Sequence, residues 1–215
     1  MQEFTDLVER SHNANLRVII DFVPNHVARE YHSTCKPKGV EDLGATDNPA
    51  WAFSPLNNFY YIHEAFAPQF DAKGYSENPT RATGNDCFTA RPAKDDWYET
   101  IKLNYGVFYQ NGGEQQFDPI PNTWYKMRDI LLFWASKGID GFRCDMAEMV
   151  PQAFWAWAIA QVKEQYPTIL FIAEVYNPDL YRSYIAAGFD YLYDKVGMYD
   201  YLRGVTSKNW AVEGI

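Results

Sequence analysis

Gly138 to Met149 reads GIDGFRCDMAEM, and the reading of the whole chain turns on it. Two glycines punctuate it, Ile139 and Phe142 are apolar, and Arg143 and Asp145 stand two residues apart. In a strand, residues two apart face the same side. The stretch therefore predicts a short strand whose end presents a guanidinium beside a carboxylate. Such a neighbour favours the ionised carboxylate, and an ionised Asp145 can act as a nucleophile or hold a metal. A buried structural Arg–Asp pair has the same pattern, because ion-pair networks also place charges this way.

The flanks of this stretch alternate between helical and strand signals. Upstream, Asn122 or Thr123 can cap a helix from Trp124 to Ser136, with Met127, Ile130, Leu131 and Trp134 as its apolar stripe and Gly138 at its end. Downstream, Pro151 opens a helix running to about Tyr166, with Phe154, Trp155, Ala158, Ile159 and Val162 on one face. Thr168 to Ala173 then reads as a strand that delivers Glu174. Pro178 opens a further helix, Gly188 closes it, and Phe189 to Tyr193 is the next strand, followed by a helix from near Gly197. At the other end of the chain, residues 1–13 carry a Phe4, Leu7, Val8 stripe. Leu16 to Val23 is a nearly continuous apolar run, as expected of a strand buried on both faces. Polar residues gather at its end: Asp21, Asn25 and His26.

Residues 27–118 break this rhythm. Gly, Pro, Asn, Asp and aromatics dominate in runs such as Asp47-Asn48-Pro49, Glu77-Asn78-Pro79 and Asn111-Gly112-Gly113. About 90 residues is too long for a plain loop, so the stretch predicts an inserted, loop-rich subdomain with short strands. The organisation expected is a segment 1–26, an insert 27–118 and a segment 119–215.

Alternating units of this length imply parallel strands joined by right-handed crossovers. Two closures compete, an open doubly wound sheet and a (β/α)8 barrel. No Gly-rich phosphate loop follows any strand, which removes the strongest argument for a nucleotide-binding sheet. Three strands end in ionisable residues (Asp21/His26, Arg143/Asp145, Glu174), and a barrel keeps its chemistry at the C-terminal strand ends. The expected fold is thus α/β, a partial (β/α)8 TIM barrel with a loop-rich insert.

Net charge is −9, which argues against a nucleic-acid partner, since that wants a basic patch, and against anionic membrane surfaces. No apolar run of membrane-spanning length is present. Aromatics make up 17% of residues; Trp51, Tyr60, Tyr61, Trp97 and Tyr98 could stack on sugar faces or pack the insert. Cys35 and Cys87 fall in one loop-rich stretch and either pair or stay free thiols. His12, His32 and His63 show no metal-ligand spacing.

Asp145 and Glu174 end successive strands, which lie about 4.8 Å apart in a sheet. Two carboxyl groups about 5 to 5.5 Å apart form the arrangement for retaining glycoside hydrolysis. Arg143 would keep Asp145 ionised, and the apolar run before Glu174 would raise its pKa by desolvation, as a general acid requires.

Three stretches also carry a resemblance. Asp21-Phe22-Val23-Pro24-Asn25-His26, Gly141-Phe142-Arg143-Cys144-Asp145-Met146-Ala147 and Ile172-Ala173-Glu174-Val175 resemble the first three conserved regions of the α-amylase family, glycoside hydrolase family 13, in order and spacing. The long insert matches that family's domain B. The resemblance implies barrel strands 3 to 6, an α-glucan or maltooligosaccharide substrate, and roles by position. Asp145 matches the nucleophile, Glu174 the general acid/base, Arg143 the arginine beside the nucleophile, His26 a histidine on the sugar and Asp21 a supporting acid. Asn25 matches an asparagine that ligates a structural calcium in many members, and otherwise hydrogen-bonds its loop. No cofactor is required for the chemistry itself.

The departures also carry information. Glu148 and Met149 stand where many α-amylases have Lys-His, which leaves a glucanotransferase open beside a hydrolase; a glucan-binding scaffold without catalysis is the third alternative. Lys102 stands where a calcium-binding Asp is common, a departure that weighs against calcium. The family's fourth region, with its third catalytic carboxylate, is not in this sequence. The chain is therefore expected to be an internal portion with little activity alone, and to self-associate through open barrel edges.

Overall fold

Helix α1 (Gln2–Asn13) leads into strand β1 (Ile19–Phe22), α2 (Asn122–Ala135) into β2 (Gly141–Cys144), α3 (Gln152–Gln165) into β3 (Leu170–Ala173) and α4 (Tyr181–Ala186) into β4 (Tyr191–Leu192). A last helix, α5, spans Asp200–Lys208. The computed structural model describes residues 1–34 and 36–214. It divides into two units, residues 1–23 with 130–215 and residues 24–129.

In the first unit the strands pair in the order β1-β2-β3-β4, and every pair is parallel. A doubly wound sheet reverses its strand order at a switch point. This sheet advances one strand at each crossover, which is how a barrel winds. The open-sheet alternative falls away, and the unit is a four-stranded arc of a (β/α)8 barrel.

Two glycines of the 138–149 stretch make the arc possible. Gly138 has φ +84°, a left-handed turn out of the helix end that a side chain would resist. A Cβ on Gly141 would fall 2.7 Å from the Leu170 carbonyl oxygen, so only glycine lets β2 and β3 come this close.

The two faces of the arc differ in chemistry. On one face Phe22, Phe142, Cys144, Phe171 and Ala173 are buried. Trp155 of α3 packs edge-on against Phe22 at 6.3 Å and against Phe189 at 4.9 Å. α3 buries the five apolar residues its periodicity marks: Phe154, Trp155, Ala158, Ile159 and Val162. The other face starts with a row of Asp21, Arg143, Ile172 and Tyr191, which are register partners across the four strands. Two residues further along, the same face carries Asp145, Glu174 and Tyr193.

β1 differs from its expectation. Its apolar run suggests burial on both faces, yet Ile19 and Val23 are each 39% exposed. The reason is the face: Ile19 and Val23 alternate with buried Phe22 and share the side of Asp21, opposite the face on which Trp155 of α3 packs.

Among the described residues the second unit contains three two-stranded pairings: 26–28 with 100–102, 61–62 with 80–81, and 107–108 with 114–115. Buried ions tie it together. Arg29 donates through Nη1 to both Glu77 oxygens at 3.0 and 3.1 Å, and Arg81 Nη2 donates to Glu77 Oε2 at 3.1 Å. Arg29 also donates to the carbonyls of Tyr98, Arg81 and Thr100, so its fork is filled. Trp124 Nε1 donates to the Tyr105 carbonyl at 3.1 Å, and its ring lies 5.0 Å from Phe117; the first half of α2 thus belongs with this unit. Tyr60 and Tyr61 are buried in packing, whereas Trp51 is exposed.

Cys144 and Cys87 are free thiols, and Cys35, the other half of the pairing weighed from sequence, lies outside the described residues. His12 pairs with Asp140 at 2.8 Å. Among the described residues, no helix is long and apolar enough to cross a membrane.

Candidate active site

The polar end of the arc is built around Arg143. Its Nε donates to the Tyr193 hydroxyl at 3.0 Å, and its Nη1 donates to Asp21 Oδ1 at 3.0 Å and Asp145 Oδ1 at 2.6 Å. Its Nη2 lies 2.7 Å from Glu174 Oε1. One guanidinium therefore joins the ends of all four strands. Charge-assisted bonds of this length are the strong ones, and a planar fork can serve several carboxylates at fixed angles. These partners raise the Arg143 pKa further, against a burial that alone would lower it.

Glu174 is the more buried carboxylate, 8% exposed against 22% for Asp145. Its Oε1 accepts from the Tyr176 hydroxyl at 2.5 Å and its Oε2 from the Met146 backbone N–H at 2.9 Å. Met146 reaches that position with φ +46°, unusual for a residue with a side chain. Strained backbone of this kind persists only where its surroundings over-determine it. Glu148 holds the next turn, accepting from the N–H groups of Tyr176 and Asn177 at 3.1 Å each.

The two carboxylates titrate in directions opposite to the sequence expectation. Burial raises the Asp145 carboxyl above its ordinary range; Arg143 opposes this, and the negative charge of Glu174 adds to it. Burial also pushes Glu174 upward, but the Tyr176 and Met146 hydrogen bonds and the Arg143 charge outweigh it and hold Glu174 low. The Tyr176 phenol is correspondingly pushed up to about 12, mainly by its bond to Glu174. The two carboxylates lie close enough for the charge of each to shift the other's titration. Apolar sequence before Glu174 indicated desolvation, but Tyr176 two residues on, with Met146 and Arg143 at the end of the neighbouring strand, overcomes it.

A family model described as the alpha amylase catalytic domain matches residues 1–187. The chain belongs to the α-amylase family. Among the curated relatives of this α-amylase-family chain, an alpha-1,4-glucan:maltose-1-phosphate maltosyltransferase from Chlorobaculum tepidum is 36% identical over 164 residues, covering 70% of this chain and 24% of the relative. One of the same name from Cereibacter sphaeroides is 33% identical over 136 residues, covering 60% and 21%. The chain thus matches about a quarter or less of these relatives' length. The fold is that of an alpha-amylase from Lactobacillus plantarum, at TM-score 0.54 and 24% identity over 95% of this chain and 38% of that one. A cyclic alpha-maltosyl-(1→6)-maltose hydrolase from Arthrobacter globiformis superposes at TM-score 0.61 and 18% identity, over 96% and 38%.

Four of the six residues singled out from sequence, Asp21, Arg143, Asp145 and Glu174, share one cluster. Asn25 and His26 lie in the second unit. Asn25 Nδ2 donates to the Gly84 carbonyl at 2.7 Å and contacts His26 Nδ1 at 3.2 Å. Its Oδ1 accepts from Lys102 Nζ at 2.7 Å, and that ammonium also meets Asp86 Oδ1 at 2.6 Å. An ammonium can only donate, so it fixes the amide orientation: the Nδ2 side faces His26, and His26 accepts at Nδ1 with its proton on Nε2.

The calcium implied at Asn25 does not fit these residues. Calcium takes about six to eight oxygens at about 2.3–2.6 Å, and here an ammonium sits at bonding distance from the two best oxygen donors. Among the described residues there is no group of three or more His, Cys, Asp or Glu placed to hold a metal ion.

Tyr176 and Tyr193 are the site residues that sequence reasoning passed over. Each was findable. Tyr176 is two residues past Glu174, on the same alternation, and Tyr193 ends the fourth strand as Asp145 and Glu174 end the second and third.

Proposed function

We propose that the chain is part of a longer α-amylase-family enzyme that moves α-glucosyl units with retention of configuration, using Asp145 as nucleophile and Glu174 as general acid/base. The observation that carries this reading is the Arg143 fork, which brings two carboxylates from successive strand ends into one cluster. In the first step Asp145 attacks the anomeric carbon as the bond to the leaving oxygen breaks, and Glu174 gives that oxygen its proton. In the second step Glu174 takes a proton from the incoming hydroxyl, whose oxygen displaces Asp145 from the same carbon. Arg143 and Asp21 orient Asp145, and Tyr176 orients Glu174. The first step needs a proton on Glu174; a sugar that displaces the Arg143 Nη2 contact removes a cation that holds Glu174 low and so favours the protonated acid.

The acceptor decides between transferase and hydrolase, since a sugar hydroxyl and water enter by the same step. We favour transfer. The support is the name shared by the curated relatives, maltosyltransferase, together with Glu148 in place of the usual Lys. The complete enzyme is accordingly expected to extend a maltooligosaccharide by maltosyl units when given maltose 1-phosphate, with phosphate released. Shortened oligosaccharides and new reducing ends, without extension, would return the reading to a hydrolase. Sugar binding without turnover of either substrate would leave only the scaffold reading.

Variants separate the two carboxylate roles. Glu174→Gln is expected to lose about 10³-fold on maltooligosaccharides yet keep its first step on maltosyl fluoride, whose leaving group needs no proton, giving a burst of fluoride followed by slow turnover because the second step lacks its base. Asp145→Asn is expected to lose both. An Asp145→Asn enzyme that keeps its rate rules out the nucleophile.

A further inference from the structure

The Asp86–Lys102–Asn25 chain lies within the second unit and takes no part in the chemistry proposed above. Lys102 is 2% exposed and Asn25 1%. A lysine that deep is costly unless every proton it carries is matched. Its Nζ sits 2.6 Å from Asp86 Oδ1, 2.7 Å from Asn25 Oδ1 and 5.2 Å from the centre of the Tyr109 ring. Anion, amide oxygen and aromatic face all present negative potential to one point. Lys102 is also the register partner of His26 in the 26–28/100–102 ladder, and Leu103 N donates to the Asn25 carbonyl at 2.9 Å. The backbone thus delivers the ammonium to the polar end of the segment that follows β1.

We propose that the Lys102 ammonium is a built-in cation that takes the position a divalent metal would hold, so that this unit is metal-independent. A divalent ion entering there would meet a fixed positive charge at a distance equal to its own ligand bonds. The lysine neutralises Asp86 and fixes the Asn25 amide without any ligand from solution. Its cation arrives with the chain, so the ordering of Asn25 and His26 does not depend on calcium concentration.

The test uses the complete enzyme. Its melting temperature is expected to change by less than about 1 °C between EDTA and millimolar calcium as far as this unit sets it, because Lys102 fills the place between Asp86 and Asn25. Calorimetric titration with calcium chloride should give no heat of site binding. Lys102→Met, which keeps the stem and removes the charge, is expected to lower the melting temperature by about 5–15 °C. Lys102→Asp is the specific arm. It exchanges the cation for a carboxylate beside Asp86 and Asn25, and its melting temperature should rise with calcium, which a merely structural lysine would not explain. Stoichiometric calcium binding by the unaltered enzyme that Asn25→Ala abolishes, or a Lys102→Asp variant blind to calcium, overturns the proposal. The measurements on the unaltered enzyme decide even if Lys102→Met does not fold.

Discussion

Arg143 Nη2 lies 2.7 Å from Glu174 Oε1, a bond between the ends of two adjacent strands. The same guanidinium reaches Asp145 through its other nitrogen at 2.6 Å. A single planar cation thereby holds both carboxylates and favours the ionised form of each. Lysine cannot reproduce this, since a point charge lacks the fork. Arg143→Lys in the complete enzyme is expected to lower kcat by about 100-fold or more, with a small change in melting temperature. Steady-state kinetics on a maltooligosaccharide checks it, and a loss under about threefold would contradict the positioning role.

Tyr176 tunes the carboxyl proposed as general acid. Its hydroxyl donates to Glu174 and helps hold that carboxyl low. Removing a donor destabilises the carboxylate, so Tyr176→Phe raises the Glu174 pKa. The alkaline limb of kcat/KM marks loss of the general acid's proton. It should therefore move to higher pH in Tyr176→Phe. A pH–rate profile with an unmoved alkaline limb refutes this assignment.

Glu77 gives the second unit a pH-dependent stability. Burial raises this carboxyl, but the Arg81 hydrogen bond and the charges of Arg29 and Arg81 outweigh it and hold it below its ordinary range. A depressed folded-state pKa means that stability is present above the unfolded value and is lost as pH falls through the folded one. Urea unfolding should show stability falling as pH drops below the ordinary glutamate range. Glu77→Gln should flatten that fall and lower stability at neutral pH by about 3 kcal/mol, because it removes the carboxylate that neutralises buried Arg29 and partly buried Arg81. An unchanged acid limb in the variant would assign the fall to other carboxylates.

The edges of the arc predict association. β1 and β4 each have one side with no strand beside it among the described residues, and Ile19 and Tyr191 are 39% and 58% exposed. Unpaired strand edges recruit other chains. The 215-residue chain by itself should form dimers or larger species in light scattering, and should show little glucan-transferring or hydrolysing activity. A monodisperse monomer, or full-rate turnover, would count against this.

Much of the arc was legible in the sequence because helix stripes and strand ends are local patterns. The α3 face, the Gly138 exit and the strand ends carrying Asp145 and Glu174 follow from periodicity and from turn chemistry. The insert was legible only as an irregular stretch. Its ties, such as Arg29 to Glu77 across 48 residues, have no local signature.

Sequence by itself determined which groups the site contains: a guanidinium two residues from a carboxylate, and a second carboxylate at the next strand end. It also placed Lys102 where a metal-binding acid is common. Tertiary structure decided what those groups do to one another. The strand order turned an undecided α/β alternation into a barrel arc. Tyr176, the Met146 N–H and Arg143 converge on Glu174 and turn its shift downward, against the rise that local apolarity suggested. The physical reason is range. Periodicity reports on neighbours along the chain, whereas a carboxylate's charge state depends on every donor and cation within a few ångströms, and folding alone brings those together.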